Sequence, residues 1–515
     1  MRRILLLFAL IASTLATILS AQSAPKDLDA YVTQALKRMD QPGVAIGVIK
    51  DGKVVFARGW GVRTLGDPAP VDGHTLFQVA SNTKAVTAAA LAILVKEGKL
   101  HWDDPVSDYL PWFRLGGDPY VSREMTVRDL LTHRSGLSLG AGDLLWFHAD
   151  RTREEIARQL RFIPPTASFR SRYAYDNVLF IVAGLVVEAA SGMKWDEFVQ
   201  TRIFQPIGMT ETGTDIGMFQ PGTDAASPHG RVDGHMQIIP RDSVENTGPA
   251  GGINSTVTDW LKWQKVQMDS GRVDSGDRLW SEAETYAMWS PGIPLPTGNP
   301  PPAFAALRAN FAAYGLGWFL RDYRGYKIVY HDGGLAGMLS RAFMVPDKKL
   351  GVVVLTNGET SAYQALAWYV LDYYLDAPKT DWVARYGASE AGMIATDKAF
   401  EDSAAAARKQ DVGPSLPLER LAGRYTDAWY GDVTIAVEDG HLVLHWSHSP
   451  ALIADLEHWQ FDTFRARMRV RNVADAFVTF QLKPNGTVDR MVMVPVLPST
   501  DFSFNYQDLL FHPAP

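Results

Sequence analysis

The chain has 515 residues, 46% hydrophobic and 21% charged, values that fit a soluble globular protein of two or three domains. Its net charge of -7 is mild for this length, and no dense Lys/Arg stripe offers a footprint for nucleic acid. With no cysteine, thiol nucleophiles, thiolate metal sites, disulfides and a lipidated amino-terminal cysteine are all excluded.

Arg2-Arg3, the apolar run 4–19 and the small residues Ala21, Ser23 and Ala24 read as a signal peptide over 1–24. The mature chain is therefore expected in the periplasm or outside the cell, without stable membrane insertion after cleavage. An uncleaved anchor is the competing reading, although a span needs about 20 apolar residues. Leu28, Tyr31, Val32, Ala35 and Leu36 recur at helical spacing. Residues 44–49 and 54–61, joined by Asp51-Gly52, read as a β-hairpin. A Pro/Gly-rich loop (66–73) then leads to the short run 77–80 and a helix over 81–96, ended by Gly98.

Residues 100–245 are mostly helix and loop. Strand patterns return at 314–320, 327–330, 341–345 and 351–355, followed by a helix at 363–375. Strands at both ends with helices between them predict an α+β domain over 25–375, an antiparallel sheet flanked by helices with a helical lobe inserted. Residues 376–416 read as a linker with a helix near 388–408. From 417 to 515, short alternating segments with turns at Asp439-Gly440 and Asn485-Gly486 predict a small all-β barrel or sandwich.

Ser81-Asn82-Thr83-Lys84 is a Ser-x-x-Lys motif at the start of the 81–96 helix. Residues i and i+3 share a helix face, so the amine can reach the hydroxyl, and the helix N-terminus adds positive partial charge. A desolvated lysine is neutral near pH 7 and can accept the serine proton. Alone the motif is weak, since an N-cap serine beside a solvated lysine gives the same letters. Tyr175 and Asn177, two apart in an extended segment before an apolar helix, project together as a proton relay and an amide holder. The competing reading there is a buried tyrosine with an asparagine N-cap. His331-Asp332-Gly333-Gly334 follows a strand, where glycine admits a substrate backbone and the Gly334 N–H can join that of Ser81 in an oxyanion hole.

Together, Ser81-x-x-Lys84, Tyr175-x-Asn177 and His331-x-Gly333 resemble the penicillin-binding and class C β-lactamase family, in its D-aminopeptidase and esterase branch. The runs 129–137 (Asp-Leu-Leu-Thr-His-Arg-Ser-Gly-Leu), 249–256 and 314–318 look like further phrases of this family. The resemblance implies acylation at Ser81 and proton transfers shared by Lys84 and Tyr175. It also implies amide orientation by Asn177, an oxyanion hole at Ser81 and Gly334, substrate binding along Gly333 and Gly334, and a catalytic place for His331, where β-lactamases commonly carry lysine. That departure, with the negative charge of Asp332, favours peptidases and esterases over β-lactam hydrolysis. Leu421-Ala422-Gly423-Arg424-Tyr425 and the segment 456–464 resemble the lipocalin-like domain attached to some of these hydrolases. Family members of this arrangement include peptidases accepting D- or unusual residues, some of them homo-oligomers.

The expected activity is serine hydrolysis of a peptide amide, with no cofactor and no metal. A carboxylesterase is the alternative, then a β-lactamase or D-alanyl carboxypeptidase, and, from another class, a non-catalytic sensor. His441, His445 and His448 crowd one hairpin, but strand alternation separates their faces and argues against a metal site. Gly59-Trp60-Gly61 lacks the following helix of a dinucleotide fingerprint, and no Gly-x-Ser-x-Gly elbow is present. Trp146 and Trp318 are expected to line the cleft, and the loops 140–153 and 291–312 to set specificity. Whether the barrel meets the cleft of its own chain or of a neighbour is left open.

Overall fold

Uninterrupted apolar strands need cover on both faces, and β1 (Gly43–Lys50) has it. Val44, Ile46 and Val48 face a cluster with the helices Leu28–Met39 and Ala362–Tyr374, whereas Ala45 and Ile49 face the larger core of the helical lobe. The computed structural model describes residues 23–514, so the expected signal peptide falls almost wholly outside the described residues.

β1 forms a hairpin with β2 (Lys53–Gly61), bulged at Val48/Ile49. Two short pairs follow. β3 (Phe77–Gln78) pairs with β6 (Asn254–Ser255), and β4 (His229–Val232) pairs with β5 (His235–Ile238). The main sheet is completed by β7 (Ile293–Pro294), β8 (Ala312–Tyr314), β9 (Phe319–Tyr323), β10 (Tyr326–Leu335), β11 (Met338–Val345) and β12 (Leu350–Thr356). Its order is β2-β1-β12-β11-β10-β9-β8-β7, antiparallel throughout. The first and last segments of the domain thus meet at β1 and β12, with the helical lobe inserted between, as the α+β pattern predicts.

Two expectations are corrected. The strand read over 314–320 is a hairpin, β8 and β9, whose turn contains Gly317 at φ 75°, a conformation that β-branched residues avoid. The His331–Gly334 motif does not follow a strand. It lies inside β10, because Asp332 and Gly333 keep their register against Arg341 and Ser340 of β11.

The segment after residue 376 is dominated by one helix, Trp382–Ala407, longer than the 388–408 pattern suggests; only its first turns are buried. Beyond it, β13 (Gly423–Asp427), β14 (Gly431–Glu438), β15 (His441–Trp446), β16 (Ile453–Gln460), β17 (Thr463–Met468), β18 (Ala476–Leu482), β19 (Val488–Pro495) and β20 (Leu510–Pro513) close into an antiparallel barrel. Pairing of Tyr425 and Thr426 with Pro513 and His512 makes the closure and removes the free edges. Trp446, Phe464, Phe480, Tyr506 and Phe511 belong to the buried set that continues into the helical lobe, so the barrel and the core of the first domain form one apolar body. Among the described residues, no single helix is long and apolar enough to cross a membrane.

Candidate active site

The turn that presents Ser81 is tight. Ala80 has φ 50°, unfavourable for a residue with a Cβ, and opens a 3-10 turn (Ala80–Asn82) that runs into the helix Thr83–Lys96. Its shape is over-determined from outside. The Val79 N–H donates to the Ile253 carbonyl (3.0 Å), and the Asn82 amide donates to Ser340 Oγ (2.9 Å), which donates to the Val79 carbonyl (2.9 Å). Gly333 lies against the same turn, where a Cβ would sit 2.2 Å from the Val79 oxygen. The glycine is thus demanded by strand-to-turn packing. Gly334, one residue on, is exposed on the cleft wall.

Lys84 is fully buried one turn after Ser81. Its Nζ lies 3.0 Å from Ser81 Oγ, 2.7 Å from Asn177 Oδ1 and 2.9 Å from the Ala250 carbonyl oxygen. Burial pulls its pKa down to about 7, with the Asp143 carboxylate opposing. Asn177 opens the helix Asn177–Ser191 and turns its amide nitrogen to Asp143 Oδ2 at 2.9 Å. Tyr175, in the extended residues before that helix, lines the cleft together with Ser81, and its ring centre lies 4.7 Å from Lys84 Nζ. Desolvation holds this phenol well above its ordinary value, so it is protonated at neutral pH. Ser81, Lys84, Tyr175 and Asn177 therefore meet at one point.

His331 is 1% exposed and both its ring nitrogens are engaged. Nδ1 donates to the Asp332 carbonyl (2.5 Å), and Nε2 accepts from the Tyr314 hydroxyl (2.9 Å). Burial, then the nearby Lys84, lowers its pKa to about 3, so the ring is neutral. It lines the cleft as part of an aromatic wall with Tyr175 and Phe319, backed by the buried Tyr314. The expected negative charge of Asp332 is corrected: Arg341, 6% exposed, grips both carboxylate oxygens and cancels it.

The cleft has a volume of about 550 Å³ and joins a second compartment of about 530 Å³ past Trp146, Tyr363 and Asp501. Among the described residues, no lysine or arginine lines the first chamber. Trp146 is on its wall as expected, whereas Trp318 is not, being 1% exposed in the core. Residues 140–153 supply Trp146, but none of 291–312 reaches either chamber. The barrel does reach it, in its own chain, through Asp501, Phe502 and Ser503. Asp143 also escaped the sequence reading. The one local signal for it was the Gly140–Gly142 pair, both at positive φ (72° and 78°), which bends a loop around it. The three hairpin histidines go separate ways, His441 to Asp455 (3.0 Å), His445 to Glu438 (2.7 Å) and His448 across the domain boundary to Asp150 (3.0 Å).

Residues 28–375 match the Beta-lactamase family model. The chain belongs to that family. Residues 407–513 match a second model, described as a domain of unknown function (DUF3471), which spans the barrel. Among characterised relatives, an unguisins hydrolase of Aspergillus violaceofuscus is 29% identical over 496 residues, 89% of this chain and 86% of its own. The octameric penicillin-binding protein homologue from Pyrococcus abyssi superposes with a TM-score of 0.60 at 22% identity, over 94% of this chain and 99% of its own. SurE, solved with D-Leu, gives a TM-score of 0.52 at 19% identity over 95% and 98%. These likenesses extend through the barrel, so the two-domain arrangement recurs as a unit. The family member described here is a serine hydrolase by fold and relatives.

Proposed function

We propose that the chain hydrolyses amide bonds of peptides, including those with D- or unusual residues, through an acyl-enzyme on Ser81. The observation that carries this reading is the hydrogen-bond arithmetic at Lys84. Asn177 Oδ1 and the Ala250 carbonyl are both acceptors, so they take the two N–H groups of a neutral amine. The lone pair is left facing the Ser81 hydroxyl at 3.0 Å. Ser81 Oγ then attacks the substrate carbonyl carbon while its proton passes to Lys84 Nζ. The N–H groups of Ser81 and Gly334 receive the developing oxyanion. Tyr175, kept protonated by burial, hands a proton to the leaving amine and is refilled from Lys84. Water repeats the cycle on the ester. In this scheme Asn177 holds both Lys84 and the substrate amide, Gly333 keeps β10 against the nucleophile turn, and His331 shapes the wall without moving a proton.

A peptide is supported by the two adjacent chambers of about 550 and 530 Å³ and by the similarity to a relative named as an unguisins hydrolase. The absence of a cation on the first chamber's wall disfavours a substrate carboxylate there, as a β-lactam would bring. The assay compares wild type with Ser81→Ala on D- and L-amino-acid peptides, p-nitrophenyl esters and a chromogenic cephalosporin. Peptide turnover lost in the variant is the expected result. Turnover of esters alone would establish a carboxylesterase, a folded protein whose Ser81 is not labelled by a fluorophosphonate would indicate a non-catalytic sensor, and activity surviving in Ser81→Ala would refute the mechanism. We also place the mature protein in the periplasm or outside the cell, to be checked by cell fractionation with amino-terminal sequencing, and a homo-oligomer is to be tested by light scattering.

A further inference from the structure

The barrel touches the catalytic cluster through a chain of three hydrogen bonds, the first of which spans 360 residues of sequence. Ser503 Oγ donates to Asp143 Oδ2 at 2.9 Å, and the same oxygen accepts Asn177 Nδ2 at 2.9 Å. Asn177 Oδ1 accepts from Lys84 Nζ at 2.7 Å. The other carboxylate oxygen of Asp143 takes the Trp146 indole N–H at 2.9 Å. Asp143 is 0% exposed, and a buried carboxylate is tolerated only while its lone pairs are occupied.

From this geometry we propose that Ser503 of the barrel is a positioning residue for the Ser81–Lys84 pair, acting through Asp143 and Asn177. The logic is one of orientation. Asp143 is an acceptor only, so it fixes the Asn177 amide with nitrogen outward and oxygen toward Lys84. A flipped amide would aim its N–H groups at the amine and deprive Lys84 of the acceptor that turns its lone pair to Ser81. Ser503 holds the Asp143 oxygen that does the fixing.

Two further features show that the hydrolase backbone is shaped to receive this barrel segment. Gly140 has φ 72°, and a Cβ there would lie 2.5 Å from the Phe502 carbonyl oxygen. The Phe502 ring packs edge-on against Tyr175, ring centres 5.8 Å apart. The loop that carries Asp143 is also tied to the barrel at both ends. Ser138 donates to Asp508 (3.0 Å), the Asp150 N–H donates to the His448 carbonyl (2.9 Å), and Ser449 donates to the Phe147 carbonyl (3.1 Å). The barrel is thereby a wall and a brace of the site in its own chain.

The proposal rests on the serine-hydrolase reading, and its test separates the two. The second-order rate of Ser81 labelling by a fluorophosphonate is measured on the full chain for wild type, Ser503→Ala, Ser503→Thr, Asp143→Asn and the Ser503→Ala/Asp143→Asn double variant, with the melting temperature of each. Ser503→Ala is expected to label about tenfold more slowly, the effect of one hydrogen bond to a charged group, with its melting temperature little changed. Ser503→Thr should recover the rate, since its hydroxyl can make the same bond. The double variant should be no slower than Asp143→Asn, because both act along one path. Wild-type labelling rates in Ser503→Ala, or effects that multiply in the double variant, would overturn the proposal. Wild type that fails to label at Ser81 would instead overturn the hydrolase reading beneath it.

Discussion

Replacing Lys84 by methionine should remove activity and, with it, a rise of stability with pH that a neutral buried lysine gives the wild type. Burial lowers the pKa of the amine from 10.5 to about 7. In the unfolded chain it returns to its ordinary value. Between pH 7 and 10.5 the unfolded state therefore binds one proton more than the folded state, and wild-type stability rises with pH by about 1.4 kcal/mol per unit. Below pH 7 the full cost, about 5 kcal/mol, is present. Methionine carries no such cost, but it strips the Asn177 Oδ1 and Ala250 carbonyl of a donor, at about 1–3 kcal/mol each. Near pH 7 the two effects roughly cancel.

The decisive quantity is the slope. From pH 8 to 9.5, where Asp143 (raised by burial to about 6) stays ionised, wild type should gain about 2 kcal/mol over Lys84→Met. Urea unfolding of both proteins at four pH values in that window measures it, and groups common to both cancel. The same neutral amine predicts that fluorophosphonate labelling of wild type rises tenfold per pH unit below about 7 and levels off above it. A stability difference that stays flat across the window would mean that Lys84 is an ammonium at pH 8, and the base mechanism would fail with it.

Tyr175→Phe, which keeps the ring but removes the relay, should lower kcat by about 10²–10³ with the melting temperature retained; a loss under threefold would remove Tyr175 from the proton path. His331→Gln should keep labelling within about tenfold of wild type and leave the pH midpoint unmoved, because its ring is neutral and fully engaged; a shifted midpoint would make it a titrating participant. Asp332→Asn strands the Arg341 guanidinium in the interior and should destabilise the domain by about 3 kcal/mol, read by urea unfolding. Gly333→Ala should cost about 1–3 kcal/mol and slow labelling sharply, since its methyl must displace the Val79 carbonyl behind the nucleophile.

The parts of this site that were legible in the sequence are those whose chemistry is local. Ser81 and Lys84 announce themselves by one helical turn, and Tyr175 and Asn177 by their place at the mouth of an apolar helix. The uninterrupted Val44–Ile49 run announces a strand buried on both faces. The unread parts depend on distant partners. Gly333-Gly334 looks like a strand break, yet β11 supplies enough cross-strand pairing to carry β10 through it. Asp332 looks like a free charge because its neutralising partner, Arg341, becomes a neighbour only once β10 and β11 pair. Trp318 has the composition of a cleft residue, but the tight turn at Gly317 points it into the core.

Asp143 and Ser503 are the extreme case, since neither lies in a motif and their bond spans 360 residues. What makes them matter is a requirement visible only in three dimensions. In the proposed mechanism the amine that accepts the serine proton must be stripped of water, so the polar atoms around it need protein partners. Asn177 satisfies Lys84, Asp143 satisfies Asn177, and the buried Asp143 takes a further donor on the same oxygen that holds Asn177. The chain supplies that donor as a hydroxyl from the second domain. A desolvated base thus extends its demand for partners outward until it reaches the barrel, which gives a physical reason for the two domains to travel together in one chain.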